Sequence, residues 1–221
     1  MECASVEDRA QPAVLRFAAF ANAPEGGNPA GIVLQANSLS VSEMQRIAAE
    51  VGYAEAAFTS VEPEIASLAP EVENELLAIL GLSTDSLDEQ YPLRVAFAGN
   101  WHPILVLKDQ TVFDNFSFEP QALRALMDEQ EWRGTVTVLH AISAVSFEAR
   151  NLFPVGSMTE DPATGSAAAS LGGYLRILRL VDVPCSVEVH QGSHVGRPSL
   201  LTVEIPEKGG ITVSGSASEI A

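Results

Sequence analysis

The chain has 221 residues, 47% of them hydrophobic, and carries a net charge of −17 from 29 acidic and 12 basic side chains. This length and composition are sufficient for a folded protein with a substantial core. The charge argues against a nucleic-acid partner, because affinity for a phosphate backbone comes from Lys and Arg side chains that displace counterions. No apolar run approaches the ~20 residues of a membrane-spanning helix, and the first dozen residues are charged, so we expect no membrane partner and a cytoplasmic location.

The cysteines and histidines do not form a recognisable metal-binding or disulfide pattern. Cys3 and Cys185 lie far apart and outside any Cys-x-x-Cys spacing, which predicts neither a disulfide framework nor a zinc site. His190 and His194 have the spacing of a helical metal pair, but Gly192 between them disfavours a helix there. We therefore expect no metal site.

Short β-rich runs dominate the chain and are separated by Gly, Pro, Asn and Asp turns. We predict strands over residues 13–20, 31–35, 56–61, 93–98, 104–108, 135–142, 146–153, 186–190, 200–205 and 211–215. Three amphipathic helices are predicted, over residues 40–51 after a capping box, over 70–80 before Gly81, and over 120–129.

A fourth predicted helix, over residues 163–179, has little polar surface until its end, so it should be surrounded by protein. A sheet wrapped around this one buried helix is the economical way to cover it. A weaker small-residue turn at residues 26–31 suggests a similar order of elements in the first half. The expected fold is therefore α+β, with two lobes of barrel-like sheet around a central helix, residues 1–117 and 118–221, and a cleft between them.

The turn at residues 161–167 combines a carboxylate, small hydroxyls and glycine immediately before the fourth helix. Asp161 lies at its lip, and the backbone N–H groups of Thr164, Gly165, Ser166 and Ala167 would be donors that favour a carboxylate or a developing oxyanion. The alternative is that Asp161 or Thr164 only caps the helix, with Pro162 in its first turn. The small residues at 163–170 favour the functional interpretation, because they bring backbone close to whatever lies in front of it.

Glu55 is a candidate acid–base group, because apolar residues flank it where a predicted helix turns into a strand. Burial would raise the pKa of this carboxyl toward neutrality, where it can both take and return a proton. The alternative is an edge-strand glutamate that faces water.

Three further positions are candidates that also have a structural interpretation, which for Asn28 is the one that turn chemistry favours. Asn28 either contacts substrate or simply belongs to a turn after Gly26 and Gly27. Arg197, in a polar loop, is either a carboxylate anchor or a surface arginine without a role. The run at 99–103 either puts His102 at a cleft mouth or connects two strands.

Four motifs together resemble one known family: Gly26-Gly27-Asn28-Pro29-Ala30; Leu39-Ser40 through Glu55-Ala56-Ala57-Phe58; Glu160-Asp161-Pro162-Ala163-Thr164-Gly165-Ser166-Ala167; and Gln191-Gly192 with Gly196-Arg197-Pro198-Ser199. In this order they resemble the phenazine-biosynthesis isomerase-like (PhzF-like) family. The resemblance implies the diaminopimelate epimerase fold and cofactor-independent isomerisation of a small carboxylated metabolite. It implies that Glu55 is the catalytic carboxylate, that Asp161 is an assisting acid that holds the substrate, and that Gly165 and Ser166 contribute polar contacts. Neither cysteine falls in a motif, which disfavours a two-thiol racemase.

The chain departs from the family pattern after Phe58. Family members carry a strand and a Gly-His-Ala-Thr motif that opens the first lobe's central helix, whereas here residues 60–70 run almost directly into the next helix. The family's site histidine is lost with this block, and the first lobe is reduced. We expect an isomerase with a more open pocket; the alternatives are a binding or interaction protein without turnover, or a truncated sequence. Apolar surface left by the missing helix predicts a homodimer.

Overall fold

The computed structural model describes residues 14–23, 26–33, 58–155 and 158–219. The helix predicted over residues 40–51 and the candidate Glu55 lie outside these ranges. Within them, the strands are β1 (Val14–Ala19), β2 (Asn28–Val33), β3 (Phe58–Thr59), β4 (Glu64–Ala66), β5 (Arg94–Phe97), β6 (Trp101–Leu107), β7 (Val136–Ser143), β8 (Ser146–Val155), β9 (Met158–Asp161), β10 (Cys185–Gln191), β11 (Ser199–Ile205), β12 (Thr212–Ser214) and β13 (Ala217–Glu219). The α-helices are α1 (Pro70–Ile79), α2 (Gln110–Asn115), α3 (Pro120–Glu129) and α4 (Gly165–Ile177).

The main sheet curls strongly, and the chain connectivity explains why. Its strand order is β3-β12-β11-β10-β8-β7-β6-β5-β4, with β9 paired to β8. The two strands at its ends, β3 and β4, are consecutive in the chain and are joined by residues 60–63 alone. Such a link spans at most about 18 Å, so the two ends of the sheet must come close together. The described sheet is therefore a barrel-like structure.

Helix α4 lies inside this curled sheet, as the sequence predicts. It packs against β4, β5 and β6 on one side and β11 and β12 on the other. The glycines in its middle allow this close approach: a Cβ added at Gly172 would lie 2.7 Å from Ile211 Cγ2, and one at Gly173 would lie 2.3 Å from Pro63 Cβ. Larger residues here would push the sheet away from the helix.

The outer face of the sheet is covered by α1, α2 and α3, which form a second apolar core. Along β6, Ile104 and Val106 belong to the core around α4, whereas Leu105 and Leu107 belong to the outer core with Leu76 of α1. Burial on both faces explains why this strand reads as an almost continuous apolar run.

A smaller sheet, ordered β13-β1-β2, joins the first two strands that the structure describes to the last one. It is connected to the main sheet near the end of β1, where Ala21 forms a bridge with Ser199 and the Leu200 N–H donates to the Phe20 carbonyl. This junction brings the turn before β2 close to the loop between β10 and β11.

Most predicted elements in the described residues are confirmed, with shifts at their ends. α1 and α3 agree with the predicted helices within one residue. α4 begins at Gly165 and not at residue 163, so Pro162 precedes the helix and is not in its first turn. β4, β9, β13 and α2 were not predicted, because short segments give little periodicity. None of the described helices has the length and apolar character needed to span a bilayer.

The main sheet continues across the predicted lobe boundary between residues 117 and 118. β4, β5 and β6 precede this boundary, yet they lie in the same sheet as β7 to β12 and contact α4. The boundary itself falls between α2 and α3, and the division into lobes 1–117 and 118–221 stays a prediction.

Candidate functional site

Three segments that are distant in sequence meet around Asp161, the last residue of β9. β9 pairs with β8, so that Asp161 lies opposite Asn151. Asn28 approaches from the first position of β2, and Gln191 approaches from the last position of β10. The turn at residues 161–164 then leads directly into α4. The site is therefore assembled by the pairing of strands, and not by one continuous motif.

The Asp161 carboxyl accepts two hydrogen bonds from side chains. The Thr164 hydroxyl donates to Oδ2 at 2.5 Å, and the Asn28 amide donates to Oδ1 at 3.3 Å. The same Asn28 amide nitrogen donates to the Ala163 carbonyl at 2.8 Å. Asn28 therefore fixes both the carboxylate and the backbone that follows it.

Burial raises the pKa of Asp161 from 3.8 to about 6, because desolvation disfavours the charged carboxylate. The hydrogen bonds from Thr164 and Asn28 oppose this shift, since both donors stabilise the charged form. A carboxyl with a pKa near 6 exchanges its proton readily near neutral pH. Perturbed acids of this kind occur at functional sites more often than on ordinary surfaces.

Gln191 is a member of the site that the residue patterns did not single out. Its side chain is 1% exposed and bonds to both ends of the turn: its amide nitrogen donates to the Asp161 carbonyl at 2.6 Å, and its amide oxygen accepts the Thr164 N–H at 3.1 Å. Gln191 belongs to one of the four motifs that carry the family resemblance. Its position next to Asp161, however, follows only from the pairing of β10 with β8.

The predicted row of backbone donors at the start of α4 needs a correction at Thr164. Its N–H is already bound by Gln191, so it is not an open donor. Thr164 occupies the N-cap position, but its hydroxyl binds Asp161 and does not cap the helix. Ser166 and Ala167 lie before the first helical hydrogen bond, from the Ala168 N–H to the Thr164 carbonyl, so their N–H groups have no carbonyl partner within the helix. Their role as donors to a substrate stays a prediction. Gly165 and Ala167 are buried, and Ser166 is half-buried.

Arg197 supports the turn before β2 through its side chain. Its Nε donates to the Gly27 carbonyl at 2.9 Å and its Nη2 to the Gly26 carbonyl at 3.3 Å. The structure thus gives Arg197 backbone partners in the protein, next to Asn28. Its role as a substrate anchor stays a prediction.

Gly192 permits the close contact between this loop and the Asp161 turn. It has φ of +82°, and an added Cβ would lie 2.3 Å from the Arg197 carbonyl oxygen and 2.5 Å from that of Pro162. Only glycine fits this backbone conformation and this spacing.

A buried ion pair holds the residue before Asp161 on the outer face of the sheet. Arg150 and Glu160 are bonded through two nitrogen–oxygen contacts, and both side chains are about 10% exposed. Arg150 also donates to the carbonyls of Phe113 and Phe116 at the end of α2. This pair fixes β9 against α2 and leaves Asp161, which points the opposite way, free to face the site.

The structure places His102 in the core and not at a cleft mouth. It lies within β6, is 0% exposed, and its Nδ1 accepts the Thr135 N–H at 3.0 Å. Burial lowers its pKa to about 4, so the imidazole is neutral near pH 7. The Thr135 hydroxyl in turn donates a hydrogen bond to Asn151 Oδ1 at 2.8 Å. Asn151 lies opposite Asp161 in the pairing of β8 with β9, so Thr135 connects His102 to this neighbour of the site.

Glu55 lies outside the described residues, so its position relative to Asp161 stays a prediction. Among the described residues, no group of three or more His, Cys, Asp or Glu side chains is arranged to hold a metal ion.

Comparison with known proteins identifies the family. The profile of the family described as phenazine biosynthesis-like protein (PhzC-PhzF) matches residues 17–69 and 59–221. The match consists of two segments that overlap over residues 59–69. This is the place where the sequence predicts the missing block. The alignment with an E. coli relative also runs over 286 positions, although this chain has only 221 residues.

Several relatives of the chain are named isomerases. The chain is 23% identical to the uncharacterized isomerase YddE of Escherichia coli K12, over 94% of this chain and 96% of that protein. It is 33% identical to an uncharacterized isomerase of Deinococcus radiodurans over 61% of this chain and 44% of that protein. It is 23% identical to trans-2,3-dihydro-3-hydroxyanthranilate isomerase of Pseudomonas chlororaphis, over 83% of this chain and 86% of that enzyme.

Solved structures share the fold. The PhzF-family phenazine biosynthesis protein of Bacillus anthracis superposes with a TM-score of 0.71 at 22% identity, over 94% of this chain and 96% of that one. The predicted epimerase PA4716 of Pseudomonas aeruginosa also gives 0.71, at 18% identity and over 96% and 98% of the two chains. This chain therefore belongs to the phenazine biosynthesis-like (PhzF-like) isomerase family and has its α+β fold.

Proposed function

We propose that the chain is a cofactor-independent isomerase that moves a proton on a small carboxylated metabolite in a biosynthetic pathway. In this proposal Glu55 is the general acid–base, and Asp161 is the assisting acid that holds the substrate. The observation that carries the proposal is the Asp161 carboxyl, which lies half-buried before the N-terminus of α4, accepts hydrogen bonds from Thr164 and Asn28 and has a pKa raised by desolvation to about 6.

The proton transfer needs two complementary features. A carboxyl with a pKa near neutrality can take a proton from carbon and return it at a neighbouring position, and the proton count then balances without a cofactor. The start of α4 supplies donors for the substrate carboxylate, because the N-terminal end of a helix favours negative charge. Ser166 and Ala167 lie at this end, one turn from Asp161.

The test follows hydrogen exchange with solvent. The protein is incubated in D₂O with trans-2,3-dihydro-3-hydroxyanthranilate, the substrate in the name of the Pseudomonas chlororaphis relative, and with other cyclic amino acids. Proton NMR then measures both isomerisation and deuterium incorporation at carbon. We expect Glu55→Gln to reduce the rate by at least about 100-fold, since it keeps the shape but removes the titrating proton.

The matched control is Glu207→Gln, which removes a carboxylate from an exposed turn and should leave the rate unchanged. A Glu55→Gln protein that turns over at the wild-type rate would contradict the role of Glu55. Binding of the ligand without exchange or turnover in the wild type would contradict the enzyme and favour the second candidate below.

The second candidate is a binding or interaction protein that has lost turnover. The two-part family match favours it, because the missing block would carry the family's site histidine. It predicts carboxylate binding with no deuterium entering the ligand.

The proposal includes a homodimer in the cytoplasm, with a partner copy covering the surface left by the missing helix. Light scattering at micromolar concentration should give twice the mass of the chain. A compact monomer would remove this part of the proposal and leave the chemistry untouched.

A further inference from the structure

Gln191 contacts both ends of the turn that carries Asp161, and its orientation is fixed by its neighbours. The Asp161 carbonyl needs a donor and the Thr164 N–H needs an acceptor, at 2.6 and 3.1 Å from the Gln191 amide. Exchanging the amide oxygen and nitrogen would break both contacts. The Gln191 amide therefore directs its nitrogen at the Asp161 carbonyl and its oxygen at the Thr164 N–H.

This orientation determines where the Thr164 hydroxyl can send its hydrogen. The same Gln191 nitrogen donates to Thr164 Oγ1 at 3.0 Å. An amide N–H cannot accept, so the hydroxyl hydrogen is left for Asp161 Oδ2, which it reaches at 2.5 Å. Protonation of Asp161 would weaken this contact, because a neutral carboxyl oxygen is a poorer acceptor than a carboxylate oxygen.

We propose that Gln191 is a positioning residue that directs the Thr164 hydroxyl toward Asp161 and thereby favours the deprotonated form of that carboxyl against its desolvation. This inference rests on the proposed function for its catalytic meaning. In that function, Gln191 keeps Asp161 able to accept a hydrogen bond from the substrate that it holds. Gln191 itself contacts the turn and is not a catalytic residue.

The charged groups on the surrounding elements do not provide an alternative explanation. Asn28 of β2 is neutral, and Arg197 is bonded to the carbonyls of Gly26 and Gly27. Arg150 and Glu160 pair with each other on the opposite face of β9. On α4 the first described charge is Arg176, about three turns away. Within the described residues, Thr164 and Asn28 are thus the groups that stabilise the Asp161 carboxylate.

The experiment is a direct titration of Asp161 in the free protein. The ¹³C shift of its side-chain carboxyl is followed against pH in protein labelled at aspartate, and the signal is assigned by its loss in Asp161→Asn. We expect Gln191→Leu to raise the pKa of Asp161 by about one pH unit, since the hydroxyl is no longer directed at the carboxylate. Thr164→Val should raise it by a similar amount.

The double variant separates positioning from a general structural effect. If Gln191 acts through the Thr164 hydroxyl, adding Gln191→Leu to Thr164→Val should change the Asp161 pKa no further. Ser199→Ala is the matched control: Ser199 pairs with Gln191 across β10 and β11, but its hydroxyl binds the Arg197 carbonyl. It should leave the Asp161 pKa unchanged.

Two results would overturn the inference: an unchanged Asp161 pKa in Gln191→Leu, or additive changes in the double variant. If Gln191→Leu does not fold, Gln191→Met replaces it, because the unbranched thioether fills a similar length, carries no charge and removes the donor to Thr164. It too should raise the Asp161 pKa. The titration needs no substrate, so a protein that titrates as expected but never turns over would refute the proposed function and leave the role of Gln191 intact.

Discussion

Replacing Asp161 with asparagine should stabilise the folded protein at neutral pH and slightly destabilise it in acid. The reason is that burial raises the pKa of Asp161 to about 6 from an unfolded value of 3.8. The folded protein therefore pays a desolvation cost whenever this carboxyl is charged. Asparagine has nearly the same shape but carries no charge at any pH.

The magnitude follows from the displacement of the pKa. A difference of about two pH units, at 1.36 kcal/mol each, gives about 3 kcal/mol of lost stability when the carboxyl is ionised in both states. Asparagine also places an N–H₂ group against one of the two donors, Thr164 or Asn28, and the mispaired contact costs about 1 kcal/mol. The net stabilisation expected at pH 7.5 is thus about 2 kcal/mol.

The pH window follows from the direction of the shift. A carboxyl with a raised folded pKa binds more protons in the folded than in the unfolded state between pH 4 and 6, so the wild type loses stability as pH rises through this range. Asp161→Asn should lack this loss. Urea unfolding at pH 4.5, 5.5, 6.5 and 7.5, followed by the fluorescence of Trp101 and Trp132, measures the difference.

The control variant is Asp182→Asn, which removes one negative charge from an exposed position. This variant measures how far the reduced negative charge of the molecule alone changes the free energy of unfolding. A stability difference between Asp161→Asn and the wild type that stays constant from pH 4.5 to 7.5 would refute the assignment of a raised pKa to Asp161. Lower stability of Asp161→Asn at every pH would show that its hydrogen bonds outweigh its desolvation.

Two further substitutions test the scaffold of the site. Gly192→Ala should destabilise the protein by about 2–4 kcal/mol in thermal unfolding, because its Cβ would meet two carbonyl oxygens within 2.5 Å at positive φ. The control, Gly196→Ala, has φ of +71° but open space around it, and should cost about 1 kcal/mol in the same assay. Equal losses in the two variants would contradict the close-contact argument. Arg150→Met should cost about 3–5 kcal/mol in urea unfolding, because it leaves Glu160 charged and buried. Adding Glu160→Met should recover part of that loss, and no recovery would mean that the hydrogen bonds of Arg150 to α2 dominate.

The turn at residues 161–167 shows how far local patterns can locate a site. Carboxylate, hydroxyl and glycine before an apolar helix were sufficient to mark Asp161 and the start of α4. The sequence patterns identified only some of the residues around Asp161: Asn28 was a candidate, and Gln191 was not. A buried glutamine at the end of a strand has no distinctive neighbours in sequence, and its partners lie about 30 residues away.

His102 shows the opposite case, in which a residue type suggested chemistry that the fold does not support. A histidine between tryptophan and proline, shortly after a glycine turn, is ambiguous by sequence, because its burial depends on whether a strand continues through it. β6 begins at Trp101, so His102 points into the core and binds Thr135.

The sequence by itself determined the α+β composition, the buried helix α4, the turn at residues 161–167 and the family, because each depends on local periodicity, small-residue spacing or ordered motifs. Only the tertiary structure decided which side chains meet at Asp161, and that β3 and β4 close one curled sheet around α4 across the predicted lobe boundary. Strand order and long-range hydrogen bonds arise from the packing of the whole chain, which no short stretch of residues encodes.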